Sequence, residues 1–116
     1  RGARERAMEL LDALDLAAAA GRLPGALSSG EAQRVALARA LAASPRRMLL
    51  DEPFSNLDAR CTDLALRLLA SEADRTGATV VLVTHAHDVA RRLCTEVAAL
   101  SDGALRAPAA WAEARR

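Results

Sequence analysis

The stretch that decides the fold is LSSGEAQRVALARALAASPRRMLLDEPFSNLD, residues 27–58. Near its start, Ser28 and Glu31 have the spacing of a capping box, in which each side chain satisfies a free backbone donor at a helix start. The apolar and small residues that follow predict a helix that continues to about Ala43. Pro45 marks its end, because the residue before a proline disfavours the helical conformation.

A short apolar run, residues 48–50, follows this helix, and residues 47–50 are predicted to form a buried strand. The run ends in two carboxylates, Asp51 and Glu52, before Pro53. A helix N-terminus can bind phosphate through its free amides, and carboxylates that hold magnesium and orient water complete a phosphoryl-transfer site. The structural alternative is a strand end followed by a solvated turn.

The chain beyond this stretch predicts a second strand parallel to the first. A helix is expected from about Ala59 to Arg75, and residues 79–84 are β-branched and apolar, as is typical of a strand. A strand, helix and strand at this spacing form a parallel βαβ unit. Ligands of open parallel sheets gather at the carboxyl ends of the strands. We therefore expect Glu52 and its neighbouring acid to meet His85 at one edge of the sheet.

These motifs together resemble the second half of an ABC-type ATPase, the nucleotide-binding subunit of ABC transporters. Residues 27–31 (the signature segment) fall where that family has LSGGQ, and residues 33–41 match the helix that follows it. Residues 48–53 resemble the Walker B strand with its catalytic glutamate, residues 55–58 the D-loop, and residues 83–85 the strand end with the switch histidine. The resemblance implies an α/β, P-loop NTPase-like partial domain, with a helical segment followed by a parallel βαβ sheet.

The resemblance also implies roles for individual residues, with ATP and Mg²⁺ as ligands. Asp51 would hold Mg²⁺ through water, Glu52 would orient or deprotonate the attacking water, and His85 would hydrogen-bond the γ-phosphate. Asp58 would couple the two halves of a dimer. The residues that would contact ATP held by the opposite subunit are Ser28, Ser29, Gly30 and Glu31. The structural alternative is a capping acid in a turn for Asp51 and a surface acid for Glu52. For His85 it is a structural histidine with satisfied hydrogen bonds, and for Asp58 it is a helix cap.

Three positions depart from the common family pattern. Ser29 replaces a glycine and adds a side chain where backbone and phosphate come close. Glu31 replaces a glutamine and brings a negative charge toward a polyphosphate, unless helix capping turns the charge aside. Ala86 stands where an aspartate often follows the histidine. The first two changes are compatible with function but bear on the strength of the ATP clamp.

One absence shapes the expected domain organisation. All sixteen basic residues are arginine, so the lysine of a P-loop, GxxxxGK followed by Ser or Thr, is not in this sequence, which begins at Arg1. We therefore expect residues 1–116 to be the C-terminal part of one ABC ATPase domain, without its N-terminal P-loop half. Its helical and signature portion would cover about 1–45 and its α/β core about 46–105, with a tail at 106–116.

The helical pattern near the N-terminus predicts one amphipathic helix from residue 4 to about 20, stopped by Gly21. Its inward residues would be Met8, Leu11, Leu14 and Ala18. The inward residues expected in the two later helices are Val35, Ala38, Leu41, Ala42, Leu64, Leu68 and Leu69.

The sequence after His85 predicts a helix at about 88–94, a third strand at 96–100 and a turn at 101–103, with a short strand after the turn. Trp111 would anchor a loose helix in the alanine- and arginine-rich tail.

Composition limits the possible partners. A net charge of +1 gives no bulk field that favours nucleic acid or an anionic membrane surface. No apolar run approaches the roughly 18 residues of a membrane span, and no secretory signal is visible. Cys61 and Cys94 lack metal-ligand spacing and are expected to be free thiols in a reducing cytosol. The resemblance adds a second ABC ATPase subunit in a head-to-tail dimer, integral membrane transporter subunits, and a cytoplasmic location on the inner face of the membrane.

The function expected is ATP binding and hydrolysis that powers a transporter, with the importers of bacteria as the most similar class. One alternative is a truncated or degenerate ABC module without ATPase activity of its own, which the missing P-loop favours. Another is a soluble ABC ATPase of the DNA-repair or chromosome-organising kind. Those proteins place long coiled coils before the signature, whereas the helix predicted here spans only residues 4–20.

Overall fold

The computed structural model describes residues 2–106 and has the α/β architecture that the sequence predicts. The described residues divide into two compact units, with the boundary between His85 and Ala86. The elements in chain order are α1 (Ala3–Ala13), α2 (Ser29–Ala42), β1 (Arg47–Asp51), α3 (Ala59–Thr76), β2 (Thr79–Val83), α4 (His87–Leu93), β3 (Ala99–Ser101) and β4 (Ala104–Arg106), with single 3₁₀ turns at Ala17–Ala19 and Pro24–Ala26.

Helix α2 begins at the predicted capping box. The Ser28 hydroxyl oxygen accepts a hydrogen bond from the Glu31 amide at 3.1 Å, and a Glu31 carboxylate oxygen accepts one from the Ser28 amide at 3.0 Å. Two of the free amides of the first turn are thereby satisfied. The helix ends at Ala42, close to the predicted boundary before Pro45.

Helix α1 is shorter than predicted, because it ends at Ala13 instead of continuing toward Gly21. Asp15 adopts a left-handed conformation with φ of 58°, and the amide of Leu16 donates to the carbonyl of Leu11 at 2.8 Å. These are the features of a Schellman motif, in which Asp15 takes the position that glycine usually fills. The prediction of one helix over residues 4–20 is therefore wrong in its second half.

The early end of α1 changes which side chains form the core. Met8 and Ala18, both expected to face inward, are exposed, whereas Leu10 and Leu16 are buried. In the later helices Val35, Leu64 and Leu68 are only partly buried and Ala42 is exposed, while Ala38, Leu41 and Leu69 are buried as predicted. The buried apolar residues of the first unit are Leu10, Leu14, Leu16, Ala19, Leu37, Ala38, Leu41, Met48, Phe54, Ala65, Leu66 and Leu69.

Strands β1 and β2 pair in parallel, as predicted, with Arg47 opposite Thr79 and Asp51 opposite Val83. The last residues of the two strands are therefore neighbours across the ladder. This register brings both carboxyl ends to one edge of the sheet.

The two faces of this sheet differ, contrary to the expectation of strands buried on both sides. Met48 points to the covered face and is buried. On the other face Leu49, Val81 and Val83 are 81%, 53% and 57% exposed. Side chains alternate along a strand, so the described chain covers only the face that bears Met48.

Helix α3 connects the two strands and has well-defined ends. The Asp58 carboxylate accepts a hydrogen bond from the Cys61 amide at 2.7 Å and caps its start. Gly77, with φ of 66°, follows the last turn in the left-handed conformation. Such a residue satisfies the last carbonyls of a helix without the steric cost that a side chain would bring.

A buried carboxylate joins α3 to α1. Glu72 is almost fully buried and forms ion pairs with Arg6 of α1 and with Arg75 one turn further along α3. Arg75 also donates to the hydroxyl of Ser44 at 3.0 Å. Burial raises the pKa of the Glu72 carboxyl, but the hydrogen bonds from Arg75 and Arg6 outweigh it and leave the pKa below its ordinary value.

The second unit, as far as residue 106, consists of α4 and an antiparallel hairpin. The third strand, predicted at 96–100, is confined to Ala99–Ser101, and it pairs with the predicted short strand after the turn, Ala104–Arg106. The turn is confirmed: Asp102 and Gly103 both have positive φ, as two-residue hairpin loops require. The predicted tail helix with Trp111 lies outside the described residues.

The two cysteines and the apolar character of the helices were also considered in the sequence. Cys61 and Cys94 are free and partly buried, as predicted. Within residues 2–106, no helix combines the length and the apolar character needed to span a membrane.

Candidate functional site

Glu52, the residue directly after β1, has an unusual backbone conformation. Its φ is 45°, in a region that non-glycine residues seldom adopt. The Glu52 amide donates to the carbonyl of Val83 at 2.8 Å, which extends the pairing of the two strands by one bond. A strained residue at the end of a strand is the kind of outlier that clusters at functional sites.

The Glu52 side chain turns back toward the segment that follows β2. Its Oε1 accepts a hydrogen bond from the His85 amide at 2.8 Å, and the hydroxyl of Thr84 lies 3.4 Å from Oε2. The Nε2 atom of the His85 imidazole is 3.6 Å from Oε1. The imidazole is fully exposed, while the Glu52 side chain retains one third of its accessible surface. The structure thus brings together the glutamate and the histidine that the sequence predicted to converge.

Asp51, the last residue of β1, is exposed at the same edge of the sheet. Within residues 2–106 no group of three or more histidine, cysteine, aspartate or glutamate side chains could hold a metal ion. A lone exposed carboxylate does fit Mg²⁺, which commonly takes one or two protein carboxylates and fills its octahedron with water and substrate phosphates.

The turn after Glu52 is held by local bonds and one buried side chain. The Ser55 amide donates to the carbonyl of Glu52 at 3.4 Å, and the Leu57 amide donates to the carbonyl of Phe54 at 3.2 Å. Phe54 itself is buried in the core. The turn then delivers Asp58 to its capping position, where the hydrogen bond from the Cys61 amide lowers the pKa of the carboxyl.

Gln33 of α2, which sequence analysis did not single out as a site residue, connects α2 to this turn. Its Nε2 donates to the carbonyl of Glu52 at 3.0 Å and to the hydroxyl of Ser55 at 3.2 Å. Its Oε1 accepts a hydrogen bond from the Asn56 amide at 2.9 Å. The available signal was a single glutamine, the only one in the chain, within a helix of mostly apolar residues.

The signature segment lies at the N-terminal end of the same helix. Ser28 and Ser29 are exposed, whereas Gly30 lies close to the turn after β1. A Cβ atom at Gly30 would come within 3.1 Å of the Asn56 carbonyl oxygen. A glycine at this position therefore permits a close approach of α2 to the turn.

The Glu31 carboxylate has hydrogen-bond and ion-pair partners within the same chain. Its carboxylate accepts the hydrogen bond from the Ser28 amide, and Arg22 lies 3.3 Å away. The backbone hydrogen bond from Ser28 is the main cause that lowers the pKa of the Glu31 carboxyl, with a smaller contribution from Arg22. The capping geometry and the neighbouring guanidinium thus occupy the carboxylate that replaces the common glutamine.

Comparison with known proteins agrees with this arrangement. The family model described as ABC transporter matches residues 2–55. The sulfate/thiosulfate import ATP-binding protein CysA of Brucella melitensis is 49% identical over 100 residues, which cover 86% of this chain and 28% of that protein. The methionine import ATP-binding protein MetN of Caulobacter vibrioides is 47% identical over 98 residues, or 84% of this chain and 30% of that protein. The chain thus spans less than a third of the length of these relatives.

Two solved structures share the fold. An ABC transporter of metal-chelate type in an inward-facing conformation aligns with a TM-score of 0.73 and 34% identity, over 90% of this chain and 42% of that one. The dimeric structure of a bacterial ABC transporter cassette aligns with a TM-score of 0.71 and 42% identity, over 77% of this chain and 39% of the other. Both confirm the predicted α/β architecture and the resemblance drawn from the motifs.

Proposed function

The chain belongs to the family of ABC transporter ATP-binding proteins, and from that premise we propose that it carries the hydrolytic end of an ATP site. The observation that carries this proposal is the contact of Glu52 with the backbone and side chain of His85 at the edge of the parallel sheet. The acid and the imidazole are both accessible to a ligand there, and Asp51 provides a second carboxylate beside them.

The proposed hydrolysis assigns one task to each of these groups. Glu52 accepts a proton from the attacking water or orients it, which depends mainly on position. Each carboxylate oxygen has two lone pairs, so Oε1 can accept a water proton while it holds the His85 amide. The His85 imidazole donates a hydrogen bond to the terminal phosphate. Asp51 would hold Mg²⁺ through water, and the ion would neutralise charge on the phosphates.

The signature segment is proposed to serve a second ATP molecule, held by the opposite subunit of a head-to-tail dimer. Ser28 uses its oxygen as an acceptor in the helix cap and keeps its hydroxyl hydrogen for a phosphate. The amides of Ser29 and Gly30 lie in the first turn of α2, where the helix dipole favours anions. Glu31 contributes the cap, and Asp58 couples the two halves of the dimer.

A P-loop must come from outside this sequence, because residues 1–116 contain no lysine. We therefore propose that these residues are the C-terminal part of one ATPase domain, with the helical and signature portion at about 1–45, the α/β core at about 46–105 and a tail at 106–116. The P-loop half would supply most of the affinity for ATP.

The partners proposed are a second ATPase subunit and integral membrane subunits of an importer. Identities of 49% and 47% to proteins named for sulfate/thiosulfate import and methionine import support the import direction. Because these two relatives are named for different cargoes, no cargo is proposed for this chain. The subunit would lie in the cytoplasm at the inner face of the membrane.

The missing lysine also supports a second candidate, a module that lends its signature segment to another subunit but does not hydrolyse ATP itself. Intact acids at Asp51 and Glu52 oppose this candidate, because a module without hydrolysis has no need of them. A soluble DNA-repair ATPase is the third candidate, and the 11-residue α1 opposes it because it is no long coiled coil.

The test uses the complete protein that contains these residues, purified with and without Glu52→Gln. ATP should be hydrolysed by the wild type, and the variant should bind ATP and accumulate as a closed dimer, measured by light scattering coupled to size exclusion. A wild-type protein that binds ATP without turnover would favour the module without hydrolysis. Unchanged hydrolysis by the variant would remove Glu52 from its role.

A further inference from the structure

We propose that Gln33 is a positioning residue that fixes the backbone of Glu52 and ties it to the N-terminal end of α2. The signature segment and the hydrolytic carboxylate of one subunit would then move as a unit. The expected effect on turnover rests on the proposed function. The claim that Gln33 fixes the turn rests only on its hydrogen bonds.

The orientation of the Gln33 amide is determined by its partners. The backbone amide of Asn56 can only donate, so the oxygen of Gln33 must face it, at 2.9 Å. The amino group of Gln33 then faces two acceptors, the carbonyl of Glu52 at 3.0 Å and the hydroxyl of Ser55 at 3.2 Å. One side chain thus holds both ends of the turn from Glu52 to Asn56. The reversed amide would place a donor against the Asn56 amide and an acceptor against the Glu52 carbonyl.

The strained conformation of Glu52 gives these bonds their importance. A residue with a side chain and a φ of 45° remains in that conformation only when its surroundings hold it there. The amide of Glu52 is held by the carbonyl of Val83, and its carbonyl is held by Gln33 and, at a longer distance, by the Ser55 amide. Gln33 therefore supplies a side-chain hydrogen bond that holds the main chain of Glu52.

A second contact joins the same two segments. Gly30 lies three residues before Gln33, hence on the same face of α2, and it approaches the carbonyl of Asn56 too closely for a Cβ atom to be added without a shift. The first turn of α2 therefore packs on the turn after Glu52 through both residues. A displacement of the signature segment by a bound phosphate would be transmitted to the backbone of Glu52.

The expected effect of losing Gln33 is a fall in turnover without a fall in ATP affinity. A misplacement of about 1 Å in a catalytic group can reduce a rate by about 100-fold, so a turn that relaxes by part of that distance should lower kcat roughly 10-fold or more. The dissociation constant for ATP should stay within about twofold, because Gln33 contacts the turn, not the proposed phosphate groups.

The test compares two variants of the complete protein with one control. Gln33→Met keeps the length of the side chain but removes all three hydrogen bonds. Gln33→Glu keeps the acceptor for the Asn56 amide and replaces the amino group with an oxygen that faces the Glu52 carbonyl. The control is Arg39→Met, at an exposed position on the same helix. It shows whether replacing a polar side chain of this helix with methionine has an effect by itself.

Four quantities are measured: kcat, the dissociation constant for ATP, the midpoint of thermal unfolding, and hydrogen exchange at the amide of Asn56. The Met variant should lower kcat roughly 10-fold or more, keep the ATP affinity and accelerate exchange at Asn56. The Glu variant should lower kcat as well but retain slow exchange at Asn56, and it also serves if the Met variant does not fold. The control should change none of the four.

Three outcomes would overturn the inference. The first is a Met variant with wild-type exchange at Asn56, since the bond would then not hold the turn. The second is an equal loss of kcat and ATP affinity, and the third is a wild-type kcat in both variants. In either of these two cases Gln33 would not position Glu52. Absence of ATP hydrolysis by the wild-type protein would instead overturn the proposed function, and hydrogen exchange would still decide whether Gln33 holds the turn.

Discussion

Glu72 and Glu52 are two glutamates of the same unit in opposite environments. Glu72 is nearly inaccessible to solvent, and two guanidinium groups, those of Arg6 and Arg75, occupy its carboxylate. Glu52 lies at the end of a strand, one third exposed, and its carboxylate is bound by a backbone amide beside an exposed imidazole. Both are held by several contacts, but only Glu52 can meet a ligand.

The difference shows how to separate a structural carboxylate from a reactive one in this fold. The ion pairs of Glu72 connect α1 to α3, so removal of this carboxylate should lower the free energy of unfolding. The bonds of Glu52 aim a carboxylate at the edge of the sheet, and its backbone is strained while its side chain stays accessible. Removal of the Glu52 carboxylate should therefore lower the rate of ATP hydrolysis.

The largest effect is expected from the same substitution at the two positions of the complete protein. Glu52→Gln keeps an oxygen for the His85 amide but removes the base, so kcat should fall by at least about 100-fold, the lower end for loss of a general base. Glu72→Gln should leave kcat within about twofold, because the Glu72 carboxylate pairs with Arg6 and Arg75 and not with the groups proposed for hydrolysis. Steady-state ATP hydrolysis measures both, and similar losses of kcat would contradict the separation.

Removal of the buried carboxylate is expected to give the largest loss of stability. Glu72→Ala leaves two guanidinium groups without their partner, and breaking a buried ion pair costs about 3–5 kcal/mol. Arg75 is half exposed and can be rehydrated, so we expect a loss near the lower limit, about 3 kcal/mol. Urea denaturation of the complete protein measures it.

The control for this loss is Asp74→Ala, an exposed acid on the same helix. That substitution should change the free energy of unfolding by less than about 0.5 kcal/mol, as is usual for surface positions. If Glu72→Ala is as mild as Asp74→Ala, the ion pairs around Glu72 do not hold α1 to α3.

A smaller effect is expected at Gly30, where α2 meets the turn after Glu52. In Gly30→Ala the gain in helix propensity, up to about 1 kcal/mol, is opposed by the contact of the new Cβ with the Asn56 carbonyl. The free energy of unfolding should change by no more than about 1 kcal/mol, while hydrogen exchange at the Asn56 amide accelerates. Gly25→Ala, where a Cβ would meet open space, should leave that exchange unchanged. Slow exchange in Gly30→Ala would show that the contact is unimportant.

Local patterns predicted the helix of the signature segment well, because capping, a proline stop and a strand that ends in acids act over a few residues. They also placed Glu52 and His85 at one sheet edge, since parallel pairing follows from the spacing of strand, helix and strand. The end of α1 was missed because Asp15, not a glycine, adopts the left-handed conformation there. Gln33 was missed because its importance depends on a turn 19 to 23 residues away, which periodicity does not reveal.

The smallest effect is expected in the pH dependence of stability. Because hydrogen bonds from Arg75 and Arg6 leave the pKa of Glu72 below its ordinary value of 4.5, folding favours the ionised carboxylate. Its contribution to stability is therefore complete above about pH 4.5 and is lost as pH falls through the lower pKa of the folded protein. The stability difference between the wild type and Glu72→Gln, from urea denaturation at several pH values, should shrink below pH 4.5 and stay constant from pH 6 to 8. The same comparison for Asp74→Asn should show no such convergence, and a difference that grows on acidification would mean that the ion pairs do not stabilise the charged form.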